Sequence, residues 1–257
     1  MSSSNKSTPA SSRRETLRRQ QEAQARAARR TGIAIKAAWA TGIAVIAVML
    51  AVTIWAVVKP GSAGVAAGSL VPPAGATDSG AVVVGNADAK VTVTIYSDFM
   101  CPYCGEFERA NGDDLTTAVD AGTVKLEIHP MSFLDAQSSG AEYSTRSANA
   151  FVTIANSDPA LAWKFDRLLY ANQPAEGSSG LTDAQLIAYA KQVGVADDVT
   201  STFTRKTFVP WIQKITDKAW DDGVTGTPTV KINGETFTGD LYTAGALAAA
   251  IEQAASA

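Results

Sequence analysis

Between Lys36 and Lys59 the chain runs for 22 residues, Ala37 to Val58, without a charged side chain. As a helix rising about 1.5 Å per residue this stretch would extend about 33 Å, enough to cross the hydrocarbon core of a bilayer. Trp39 and Trp55 stand near its two ends, where interfacial aromatic side chains gather. A helix buried in a globular domain keeps a polar stripe, which this stretch lacks. The expectation is a single transmembrane helix over 37–58 that contacts lipid and, holding no ionisable group, transports nothing.

Charge divides the chain at the same place. Residues 1–36 hold nine Lys or Arg against two Glu, whereas residues 60–257 hold 12 basic and 23 acidic side chains. The basic segment 1–36 is expected on the cytoplasmic side and the C-terminal domain outside, with the protein a single-pass resident of the cell membrane. The acidic balance beyond residue 59 argues against nucleic acid as a partner, since phosphate neutralisation needs clustered Lys and Arg. A cleaved signal peptide is the rival reading, because small residues follow at 61–67. The apolar core of a signal peptide usually spans about 7 to 15 residues, so this longer stretch favours a retained anchor. Residues 59–80, rich in Gly, Pro, Ala and Ser, are read as a flexible linker, and folding is expected from Ala81 onward.

In the segment 91–96, Val91, Val93 and Ile95 alternate with Thr92, Thr94 and Tyr96, a period of two that marks a strand. A turn at 97–100 leads into Cys101-Pro102-Tyr103-Cys104, and proline suits the first position of a helix. Cys101 is thereby expected to cap a helix ending near Asn111–Gly112, with Cys104 in its first turn. A second strand is expected at 124–129. The 96 residues from 131 to 226 are too many for a loop. Their spacing is helical, with starts at Asp158-Pro159 and Thr182-Asp183 and a stop at Gly194, so they are read as a helical insertion. A strand at 229–233, an Asn233-Gly234 hairpin turn, a short strand at 235–238 and a helix at 242–252 complete the pattern.

The chain's two cysteines are both spent on the Cys-x-x-Cys pair. A cysteine at a helix N-terminus faces free N–H groups and the positive end of the helix dipole, which stabilise its thiolate. A second cysteine one turn on can resolve a mixed disulfide formed at the first. His129 is the single histidine. With two cysteines it leaves tetrahedral zinc a ligand short, so it is read as a strand residue and no metal site is expected.

The segment VTVTIYSDFMCPYC, the Gly226-Thr227-Pro228-Thr229 element and the long insertion between them resemble the DsbA-like branch of the thioredoxin fold, over roughly residues 81–257. The resemblance implies an α/β thioredoxin fold with the insertion between the second strand and the cis-proline strand. It implies that Cys101 and Cys104 are the redox pair, needing no other cofactor, and that Pro228 is a cis-proline packed opposite them. Thr227, Pro102 and Tyr103 would contact substrate, with Thr227 pairing with the substrate backbone. Relatives often carry a buried acid six residues before the first cysteine as a proton relay, but Ile95 stands there in this chain. Asp98 is the nearest candidate relay, with a turn-capping role as the alternative.

The function expected on this basis is oxidation of free thiols in exported proteins, with reoxidation of the pair by a membrane enzyme of the DsbB or VKOR type. A reductase or isomerase using the same pair is the alternative, and a thiol-based module for metal delivery is a third reading. Tyr103 brings no positive charge between the cysteines, so a disulfide less oxidising than that of histidine-bearing relatives is expected.

Overall fold

A computed structural model describes residues 70–256. The segment expected to cross the membrane and the basic tail before it lie outside those residues. Among the described residues no helix is long and apolar enough to span a bilayer.

Five strands form one mixed sheet in the order β1-β3-β2-β4-β5. These are β1 (Val82–Gly85), β2 (Val91–Ser97), β3 (Val124–Pro130), β4 (Thr229–Ile232) and β5 (Glu235–Thr236). β2 sits at the centre, parallel to β3 and antiparallel to β4, while β1 closes the far edge antiparallel to β3. The β2–β3 pair is parallel because α1 (Pro102–Asp120) crosses over between them. Val91, Val93 and Ile95 are buried on one face of β2, each contributing about 1.5–3 kcal/mol of burial. The alternate residues Thr94 and Tyr96 are buried too, since helices cover both faces of the sheet.

The insertion is helical as expected. It holds α2 (Tyr143–Ala155), α3 (Pro159–Ala171), α4 (Asp183–Gln192), the single turn α5 (Asp197–Thr200) and α6 (Val209–Asp221), and α7 (Ala246–Ser256) ends the described chain. The Asp158 side chain accepts hydrogen bonds from the N–H groups of Ala160 and Leu161, capping α3. Thr182 and Gln185 form a capping box at the start of α4. Asn233 and Gly234 both take positive φ, 49° and 88°, as a two-residue hairpin between twisted strands requires.

Several elements differ from the sequence expectations. α1 does not end at Gly112 but runs on to Asp120. A Cβ at Gly112 would meet the Arg167 guanidinium and the Glu108 carboxylate, so the glycine admits a side chain from α3. This close approach offsets the roughly 1 kcal/mol that glycine costs inside a helix. β1 was not apparent from the sequence, being too short to show a period. β5 ends at Thr236 rather than Thr238, and α7 begins at Ala246 rather than Tyr242. Within the expected linker, residues 70–80 fold back onto the domain: Ala74 N–H donates to Asn156 Oδ1 at 2.8 Å and Ala76 packs against the core.

Candidate active site

The turn from β2 into α1 is held by its own backbone and by three distant segments. Cys101 takes the N-cap position with Pro102 as the first helical residue. Cys101 N–H donates to the Asp98 carbonyl at 2.9 Å, and the Cys101 carbonyl accepts from Cys104 N–H at 3.0 Å. Asp98 is wholly buried, and its carboxylate accepts hydrogen bonds from Met100 N–H at 2.8 Å, Leu134 N–H at 2.9 Å and Ser144 Oγ at 2.7 Å. These partners make Asp98 the tie between the active-site turn, the loop after β3 and α2. Burial raises its pKa to about 7 against these hydrogen bonds, which favour the charged form. A second tie is Gln173, just beyond α3, whose Nε2 donates to the carbonyls of Phe99 at 3.1 Å and Cys101 at 2.8 Å.

Both cysteines are free thiols, and their surroundings push them apart. Cys101, 5% exposed, has its pKa lowered to about 6. The largest cause is the hydrogen bond from the Cys104 thiol. Burial opposes it, while the Thr227 hydroxyl and the N–H groups of Cys104 and Tyr103 at the helix start reinforce it. Cys104, 1% exposed, is raised well above the ordinary thiol value, first by burial and then by Cys101. One sulfur is therefore a thiolate near neutral pH while its partner keeps its proton.

The Thr227–Pro228 peptide is cis, and the protonated Cys101 Sγ can donate to the Thr227 carbonyl at 3.3 Å. The sequence elements at 98–104 and 226–229 thus meet at one place. Pro102 and Tyr103 face solvent beside them, and the Tyr103 ring, 58% exposed, lies 6.1 Å from that of Tyr242. His129 is apart from this centre, buried in β3 and stacked on Tyr96 at 4.1 Å. Burial, then Lys231 and Lys218, lower its pKa to about 4. Among the described residues no cluster of three or more His, Cys, Asp or Glu side chains could hold a metal.

Sequence reasoning missed Gln173, Tyr242 and a buried acid pair, Glu108 and Asp166, that approaches Cys104 from the helical side. Glu108 follows Cys104 by four residues on the same face of α1, while Gln173, Asp166 and Tyr242 meet the site only through packing of the insertion and of the C-terminal segment on α1.

The sequence model of the thioredoxin family matches residues 77–253. Among curated proteins, the serine/threonine-protein kinase PknE of Mycobacterium tuberculosis is 38% identical over 117 residues, covering 44% of this chain and 21% of the kinase. The chain thus spans about a fifth of the length of the curated relatives matched first. Disulfide bond formation protein D of Bacillus subtilis is 28% identical over 60% of this chain and 68% of its own length. Among solved structures, the reduced form of the disulfide bond oxidoreductase DsbG from Mycobacterium tuberculosis superposes with a TM-score of 0.59 at 31% identity, covering 67% of this chain and 86% of that one. With the fold, the cysteine pair at the head of α1 and the cis-proline beside it, these matches show that the chain belongs to the thioredoxin family, in its DsbA-like branch of thiol-disulfide oxidoreductases.

Proposed function

We propose that this chain is an extracytoplasmic oxidase of protein thiols, anchored in the cell membrane through residues 37–58 with its N-terminus in the cytoplasm, and that Cys101 and Cys104 are its redox pair. The observation that carries the reading is the asymmetry of the two sulfurs: Cys101 is held at about 6 while Cys104 is held well above an ordinary thiol. A stabilised thiolate favours the reduced form and makes the disulfide an oxidant.

In the oxidised protein a substrate thiolate attacks Cys101 Sγ, the Cys101–Cys104 bond breaks, and the bonding pair leaves with Cys104. A second substrate thiolate then attacks the substrate sulfur of the mixed disulfide and releases Cys101 as its stabilised thiolate. The substrate loses two electrons to the pair and leaves as a disulfide. Thr227 would pair with the substrate backbone, and Pro228, Pro102 and Tyr103 would border the bound peptide. A membrane oxidase of the DsbB or VKOR type would return the pair to the disulfide, so no further cofactor is needed. The name of the B. subtilis relative, a disulfide bond formation protein, agrees with the direction proposed.

Trapping tests the assignment. Cys101→Ser should abolish oxidation of a reduced, unfolded protein, and Cys104→Ser should accumulate mixed disulfides, since its resolving thiol is gone. Equal trapping by both variants would show that the roles are wrongly divided.

A further inference from the structure

Cys104 lines a small cavity together with Ile95, Ser97, Glu108, Asp166 and Tyr170. Its water-accessible volume of about 10 Å³ is near the minimum that holds one water molecule. Ile95 stands where relatives often carry a buried acid on the strand. In this chain carboxyls enter the same space from two other elements, Glu108 from α1 and Asp166 from α3. Both are buried, at 6% and 3% exposure, with the buried Tyr170 side chain beside them.

The charged neighbours divide the two acids. Arg167 lies with its Nε 2.9 Å from Glu108 Oε1, an ion-pair distance outside hydrogen-bond alignment, and with its Nη2 2.6 Å from Asp113 Oδ1. Asp166 faces the Glu108 carboxylate as well as the more distant pull of Arg167, and it shares the cavity with the Cys104 thiol and the Tyr170 hydroxyl. Two adjacent buried carboxyls with one shared cation do not both ionise readily, and the one farther from the cation keeps the proton. Burial first, and Glu108 second, push Asp166 in that same direction, well above the usual carboxyl range.

We propose that Asp166 is the proton donor to Cys104 when that sulfur leaves the disulfide, and the acceptor when the Cys104 thiol is called on to attack. The inference rests on the thiol-disulfide exchange proposed above. When a substrate thiolate bonds to Cys101 Sγ, the Cys101–Cys104 bond breaks and its electron pair passes to Cys104 Sγ. The Asp166 carboxyl proton moves to that sulfur, directly or through one water in the cavity, leaving a Cys104 thiol and an Asp166 carboxylate. The substrate sulfur is oxidised, Cys104 is reduced, and no other reactant is required. The Glu108–Arg167 pair sets the charge that Asp166 sees.

The test is reduction of the oxidised protein by a small dithiol across a pH series, with rates normalised to the dithiol's thiolate concentration. The wild-type rate should fall above an inflection belonging to Asp166. Asp166→Asn should lose the inflection and slow the step about 100-fold, the low end of what a positioned general acid contributes. Glu108→Gln should keep the inflection and move it to lower pH, because a like charge has been removed. A wild-type profile and rate in Asp166→Asn would overturn the inference. Should that variant not fold, carboxyl ¹³C titration of the wild type decides: different Asp166 midpoints in the oxidised and reduced protein support the coupling, and identical midpoints overturn it. A wild-type protein that the dithiol reduces at no pH overturns the exchange reading itself, and the proton donor with it.

Discussion

Replacing Cys104 by alanine should raise the pKa of Cys101, because the Cys104 thiol is the largest cause holding it near 6. A hydrogen bond to a charged acceptor contributes about 1.5–3 kcal/mol, and S–H is a weak donor, which places this one at or below the low end. About 1.4 kcal/mol corresponds to one pK unit, so the midpoint should move from about 6 to about 7. The Thr227 hydroxyl and the N–H groups of Cys104 and Tyr103 survive the substitution, which is why the value should stop short of an ordinary thiol. Cys104→Ser retains an O–H donor at the same place and should leave the midpoint near 6. The assay is ultraviolet absorbance of the thiolate across a pH series. Alkylation at a single pH would mislead, because a thiolate of higher pKa is intrinsically more nucleophilic and masks its smaller population. A midpoint in Cys104→Ala that stays near 6 would refute the reasoning and assign the stabilisation to the Thr227 hydroxyl and the helix N-terminus.

Gln173→Ala should cost about 1 kcal/mol in equilibrium unfolding, since it strips a donor from the Phe99 carbonyl and one from the Cys101 carbonyl, which keeps Cys104 N–H, and unchanged stability would contradict its role as a tie. Asp98 has a pKa raised to about 7, so its stabilisation is present below the ordinary carboxyl value and lost as pH rises through 7; the oxidised protein should melt lower at about pH 8 than at about pH 5. The lowered Cys101 thiol works in the opposite sense in the reduced protein, where its stabilisation is lost as pH falls through 6, so parallel pH curves for the two redox forms would contradict the assigned shifts. Protease added outside spheroplasts should release residues beyond about 60 and spare a tag placed ahead of the Arg-rich segment; digestion of the tag would reverse the topology proposed from the charge bias.

The central strand and the head of α1 were legible because their signals are local. Alternating β-branched residues mark β2, and proline after Cys101 marks the first helical turn. The caps at Asp158 and Thr182 were legible for the same reason, since each is satisfied within its own first turn. Gly112 misled because its reason lies in another helix, where Arg167 needs the space a side chain would fill. The short β1 has no period to detect, and its pairing with β3 is visible only once the sheet exists. At the site, the cysteines and the Thr227-Pro228 element could be found from spacing and resemblance. Gln173 and Asp166 could not, because they come from the insertion and reach Cys101 and Cys104 only in the folded chain, whereas Glu108 lies one helical turn after Cys104 and its i, i+4 spacing was the signal left unread.

The reduction potential of the Cys101–Cys104 pair, titrated against glutathione, tests the proposed oxidase most directly. A Cys101 pKa of about 6 falls between the values of about 7 and about 3.5 found for thioredoxin and DsbA, and Tyr103 adds no positive charge to lower it further. The potential should accordingly lie between about −270 mV and about −120 mV, the values of those two proteins. Since 30 mV corresponds to about 1.4 kcal/mol, a shift of about 60 mV from thioredoxin needs about 2.8 kcal/mol of added thiolate stabilisation. A value inside that interval, with oxidation of a reduced unfolded protein, is the predicted result. A value at or below about −270 mV, with no such oxidation, would contradict it and make the protein a reductase.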